Sequence, residues 1–120
     1  MMKKTLIIGA TTNTSRYAYK AAEMLTDHGH PIILFGIKKG SIFGKKILND
    51  WESFEGIDTV TMYVGPARQV EYMDQIMSIN PKRVLFNPGT ENPEFYTKLN
   101  DAGIEFEEVC TLVLLRTNQY

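Results

Sequence analysis

Cysteine is nearly absent from this chain of 120 residues: Cys110 is the only one, which excludes an internal disulfide and suits a reducing compartment. Histidine is as scarce. His28 and His30, together with Cys110, make no metal-ligand set. An excess of one charge is also missing, since 13 Lys and Arg residues face 14 Asp and Glu residues. A nucleic-acid partner is therefore not expected, because such domains carry a clear basic surplus. Long apolar runs are lacking too. The stretch behind Met1-Met2-Lys3-Lys4 ends at Gly9, too short for a secretion-signal core or a membrane span, and a cytoplasmic protein with no membrane partner is expected. Finally, no G-x-S-x-G elbow, P-loop or zinc spacing is present. Glu91 and Glu71 lie in separate loops with no visible pairing, so no catalytic residue and no metal ligand is assigned.

What is present is an alternation of strand and helix signals in a composition that is 43% hydrophobic and 22% charged, the pattern of one folded α/β domain over residues 1–120. A first strand ends at Gly9. Tyr17, Ala21, Met24 and Leu25 then recur at helical spacing, and Gly29 suits a left-handed cap. Ile32 to Phe35 is apolar without alternation, as a strand covered on both faces requires. Gly36 to Gly56 reads as a long loop, with a short strand or turn near Ile47 and a helical turn from Trp51 to Phe54.

A third strand is expected from Thr59 to Val64, followed by a helix that starts at Gly65-Pro66 and buries Val70, Met73, Ile76 and Met77. Asn80-Pro81 closes it. A fourth strand, Arg83 to Phe86, runs into a turn-rich loop that ends in the N-cap pair Asn92-Pro93. The next helix turns Phe95, Leu99 and Ala102 inward and ends at Gly103. A fifth strand from Glu105 and a short helix from Thr111 to Arg116 complete the chain. These elements predict a Rossmann-like three-layer fold, a five-stranded parallel sheet in the order 3-2-1-4-5 with helices on both faces.

Ligands of such sheets sit at the carboxyl ends of the strands. Four loops fall there. The first, Gly9-Ala10-Thr11-Thr12-Asn13-Thr14-Ser15-Arg16-Tyr17, joins an apolar strand to a helix through small hydroxyl residues, a common cradle for phosphate. Gly9 lets backbone approach an anion, and a valine there is expected to block the site while leaving the fold intact. Only the first glycine of a G-x-G-x-x-G motif is present. The second strand ends in Phe35-Gly36-Ile37-Lys38-Lys39, without the carboxylate that takes the ribose hydroxyls of NAD. Lysine there suits a ribose that bears its own phosphate, as in NADP or coenzyme A. Candidate ligand residues are Gly9, Ala10, Thr11, Thr12, Asn13, Ser15, Arg16 and Tyr17 in the first loop, with Gly36 and Lys38 in the second. Tyr63, Val64 and Gly65 come from the third, and Asn87, Pro88, Gly89 and Thr90 from the fourth.

Four stretches carry a family resemblance: Gly9-Ala10-Thr11 with Arg16-Tyr17-Ala18-Tyr19-Lys20-Ala21, Thr61-Met62-Tyr63-Val64-Gly65-Pro66, Phe86-Asn87-Pro88-Gly89-Thr90-Glu91-Asn92-Pro93, and Cys110-Thr111-Leu112. Over nearly its full length the chain resembles the small single-domain coenzyme A-binding proteins, relatives of the nucleotide-binding domain of succinyl-CoA synthetase. The resemblance implies binding of coenzyme A or an acyl-CoA, with the pyrophosphate at the first loop and the adenosine end toward the second strand. The chain departs from that family in having Thr11, Thr12 and Thr14 where serine and prolines are frequent, and Ala18 where serine is frequent. The catalytic histidine of the larger synthetases belongs to a further domain that this sequence does not include.

Binding without catalysis, in a carrier, sensor or partner role, is the expectation. A small NADP-binding oxidoreductase-like protein and an interaction protein with an idle nucleotide pocket stand as alternatives. The apolar run Leu112-Val113-Leu114-Leu115 is either core cover or a dimer patch, consistent with a monomer or a weak homodimer.

Overall fold

A computed structural model of the chain describes residues 2–120. Strands β1 (Thr5–Ile8), β5 (Thr59–Met62) and, but for one residue, β2 (Ile32–Phe35) and β6 (Arg83–Phe86) are buried along their whole length. Their near-continuous apolar character follows from having a layer on each face. Leu6 and Ile8 point into one core with Met73, Ile76, Phe95 and Leu99. Ile7 points into the other, with Ala18, Ala22, Leu25 and Leu115. Helices α3 (Met73–Ser78) and α4 (Pro93–Asp101) thus cover one face of the sheet, and α1 (Tyr17–Asp27) and α5 (Thr111–Arg116) the other.

The sheet has seven strands rather than five. With β3 (Ser41–Ile42), β4 (Lys45–Leu48) and β7 (Glu105–Glu108) included, the order is β3-β4-β2-β1-β5-β6-β7. Only the β3–β4 pair is antiparallel. The expected order 3-2-1-4-5 is corrected in a specific way. The place beside β2 is taken by β4, which pairs Leu34 with Ile47, whereas Thr59–Met62 pairs with β1 on its other side. Strand β4 bears out a short strand near Ile47, but its place in the sheet is not evident from the sequence because Lys45 and Lys46 are exposed and Ile47 alone is fully covered. The parallel strands taken alone then run in the doubly wound order 3-2-1-4-5-6, whose reversal lies between β1 and β5.

Local chemistry accounts for most boundaries. Phe43 at φ 50° and Gly44 at φ 76° form the two-residue loop between β3 and β4, the paired positive-φ geometry of a tight hairpin. Gly29 ends α1 in a double cap: its N–H donates to the Thr26 carbonyl and that of His30 donates to Leu25. Asn92 accepts a hydrogen bond from the Phe95 N–H at 3.4 Å, and Pro93 opens α4.

Three expectations fail. The helix expected from Pro66 breaks into α2 (Pro66–Gln69) and α3, leaving Val70 exposed. Trp51 to Phe54 is not helical; both rings pack edge-on against Phe35, with centroids 5.1 and 6.5 Å away. Ala102 caps α4 at an exposed position and is not turned inward.

At the opposite end of the sheet from the candidate site, the Tyr120 ring lies under Arg83, whose guanidinium carbon is 4.6 Å from its centroid. His30 packs on the same ring and accepts a hydrogen bond from the Lys3 N–H through Nδ1 at 2.9 Å. Burial holds the His30 pKa below its ordinary value, and His28 and Lys3 push the same way. The unfolded chain therefore binds the proton more readily, so stability present at neutral pH declines as pH falls through about 6.5. Replacing His30 with asparagine is expected to flatten the dependence of the thermal midpoint on pH between about 5 and 7. An unchanged slope would remove His30 as its source.

Candidate functional site

At the carboxyl ends of β1, β2, β5 and β6 the loops enclose an open cleft of about 520 Å³. Its position follows from the sheet reversal, which leaves the loops after β1 and β5 with helices departing to opposite faces. Gly9 holds φ +96°, and a Cβ there would lie 3.0 Å from the carbonyl carbon and oxygen of Tyr63 and from Val64 Cγ1. At Gly36 a Cβ would crowd the Ala10 backbone at 3.1–3.2 Å, without the positive φ of Gly9. Both glycines thus draw neighbouring strand ends together, and Gly9 also forms part of the cleft wall.

The first loop is braced from within. Thr11 Oγ1 accepts from the Asn13 N–H, and Asn13 Oδ1 accepts from the N–H and hydroxyl of Ser15. Helix α1 then begins at Arg16 with no side-chain cap and no acidic residue in its first turn. Its first N–H groups have no partner within the helix, and the dipole adds partial positive charge there. Beyond β2, the Asn49 side-chain amide donates to the carbonyls of Gly36 and Lys38 at 2.7 and 2.8 Å, fixing the loop that presents Ile37 and Lys38.

The floor under β5 and β6 is a buried polar bracket. Gln69, fully buried, donates through Nε2 to the carbonyls of Val64 (2.9 Å) and Thr90 (2.7 Å), and its Oε1 accepts from Asn92 Nδ2 at 3.0 Å. Asn87 Nδ2 donates to Thr61 Oγ1 and the Met62 carbonyl, while its Oδ1 accepts from the Thr111 N–H. Among the described residues every buried side-chain nitrogen and oxygen has a partner, so the bracket is a fully satisfied network. Burial raises the Tyr63 phenol above its usual range, which leaves it a neutral wall of the cleft.

Of the residues expected at a ligand, Gly9, Ala10, Thr11, Ser15, Arg16, Tyr17, Lys38, Tyr63, Val64, Gly65, Pro88, Gly89 and Thr90 come together on the cleft. Thr12, Asn13, Gly36 and Asn87 lie outside its lining. Thr12 abuts Gly40, Asn13 and Gly36 shape the loops, and Asn87 ties β5, β6 and α5 together. Tyr17 and Ile37 stand out as exposed hydrophobic side chains over the cleft, 68% and 63% accessible.

Arg68 also lines the cleft and went unrecognised in the sequence. Its signal was its place in the turn after Gly65-Pro66, directly behind a buried strand. Glu91 is committed elsewhere: its Oε1 accepts from the Gly89 N–H within its own turn. Among the described residues no group of three His, Cys, Asp or Glu could hold a metal ion, and no helix is long and apolar enough to cross a membrane.

Comparison with known proteins gives the class. The profile of the family described as CoA binding domain matches residues 3–116. The chain belongs to that family, and membership points to coenzyme A as the ligand class. No curated protein matches it. A crystal structure of an uncharacterized protein is 52% identical, with a TM-score of 0.98, covering 100% of this chain and 99% of that one. A hypothetical protein from Pyrococcus horikoshii OT3 is 25% identical with a TM-score of 0.83, over 97% of this chain and 83% of its own. A Thermus thermophilus structure, cell-free ID.343, shares the fold at 19% identity and a TM-score of 0.84, covering 99% and 91% of the two chains.

Proposed function

We propose that the cleft binds coenzyme A or an acyl-CoA and that the protein acts by binding it, as a carrier, sensor or partner, without transforming it. The carrying observation is electrostatic. In a chain of net charge −1, the charged side chains on the cleft are Arg16, Lys38 and Arg68, and among the described residues no carboxylate lines it. Such a local cationic field suits a ligand with several phosphates.

In this reading the pyrophosphate lies against the loop after β1 and the uncapped first turn of α1, within reach of Arg16. The adenosine end runs over Ile37 toward Lys38, which takes the ribose phosphate. The pantetheine arm crosses Tyr63 and Pro88 in the other direction. The loop's threonines supply hydroxyl and N–H donors in place of the more frequent serine.

Calorimetric titration with coenzyme A, dephospho-coenzyme A and NADP tests this reading. The native protein should bind coenzyme A and leave NADP in solution. Lys38→Ala should weaken coenzyme A about tenfold, the worth of one charge-assisted hydrogen bond near 1.4 kcal/mol, and leave dephospho-coenzyme A unaffected. Equal losses for both ligands would sink the role of Lys38. Binding of NADP without coenzyme A would overturn the ligand itself.

A further inference from the structure

A second cavity, of about 370 Å³, opens beside the cleft and shares Tyr17, Tyr63 and Pro88 with it as a common wall. We infer that this cavity is a pocket for an acyl group ending in a carboxylate, with Arg116 as the counter-charge. The inference rests on the coenzyme A reading above and names the acyl class that the reading leaves open.

Direction comes first. With adenosine on the β2 side and pyrophosphate over β1, the pantetheine arm can proceed only across β5 toward β6, and the second cavity stands at that end. Size comes second. Liquid water would fill its volume with about twelve molecules, and a methylene takes roughly the same space, so the cavity has room for an acyl group of up to about a dozen carbons and excludes only longer chains.

Chemistry decides the rest. Leu112, Cys110 and the tyrosine rings give a lining that is mostly carbon surface. Asn87, the polar side chain at its base, already uses its amide on Thr61, Met62 and Thr111. Arg116 is the single charged residue on the lining. It stands in the last turn of α5, is exposed, and forms no ion pair among the described residues. A guanidinium beside a carbon-lined cavity favours an anionic end over an apolar one, because a carboxylate can meet it through two parallel hydrogen bonds. An uncharged acyl tail of equal length would leave that donor fork to water and gain nothing from it.

Calorimetry with coenzyme A, pentanoyl-CoA and glutaryl-CoA separates the possibilities, since the two thioesters match in length and differ in the terminal carboxylate. The native protein should bind glutaryl-CoA about tenfold tighter than pentanoyl-CoA. In Arg116→Gln that ratio should fall to about one, and Arg116→Lys should restore part of it. A native ratio at or below one, or a preference that survives in Arg116→Gln, would overturn the acyl assignment while coenzyme A still binds. Failure of coenzyme A itself to bind the native protein would overturn the underlying reading and this inference with it.

Discussion

Gly9→Val is expected to cost about 2–6 kcal/mol of stability, a large part of what a small domain possesses. Two terms add. At φ +96° a residue with a β-branched side chain occupies backbone space that only glycine holds without strain, a penalty of about 1–3 kcal/mol. The new Cβ would also meet the Tyr63 carbonyl and Val64 Cγ1 at 3.0 Å, and overpacking of this kind costs about 1–3 kcal/mol more. Urea unfolding should show a lower midpoint with an unchanged slope. Retention of the native midpoint would mean that β1 and β5 can part without loss. The sequence alone suggested a different outcome, a blocked phosphate site on an intact fold. The loop after β5 is what changes the expectation, because it presses on Gly9 from the side that a linear reading does not see.

That correction typifies what was legible. Contiguous apolar strands, glycine and asparagine caps and the Asn92-Pro93 helix start each arise from interactions within a few residues, and they could be read directly. Strand β4 could be read only as a short strand or turn near Ile47 and not as a member of the sheet, because two exposed lysines precede the one side chain, Ile47, that anchors it. Leaving it out of the sheet displaces the strand order and puts the expected reversal beside β6, whereas it lies beside β5. The site survived this error because all the loops involved lie at the same ends of their strands. Tyr17 shows another case: it falls with the apolar residues at helical spacing in α1 and is also a candidate ligand residue, and it stands out over the cleft, while Ala18 and Ala22 take the sheet-facing positions. Small residues there let the helix pack close, which a hydrophobicity pattern weighted toward large side chains does not reveal.

Gln69→Leu is expected to destabilise the protein by at least about 3 kcal/mol, although the new side chain matches the old in size. Nothing in the sequence marks this residue; it lies at the end of a four-residue helix and reads as a surface glutamine. In the fold it is fully buried, and its amide serves three partners from two loops. Leucine would leave the Val64 and Thr90 carbonyls and the Asn92 amide without partners, and each buried orphan costs about 1–3 kcal/mol. Val64 and Thr90 both line the cleft, so the surviving folded protein should also bind coenzyme A more weakly. Asn92 loses a further function once its amide is freed, because the same side chain caps α4 through the Phe95 N–H. A double-mutant cycle with Asn92→Ala should therefore show a coupling of about 1 kcal/mol or more. Strict additivity of the two losses would mean that the two loops are held independently, and that the cleft floor is not one bracket.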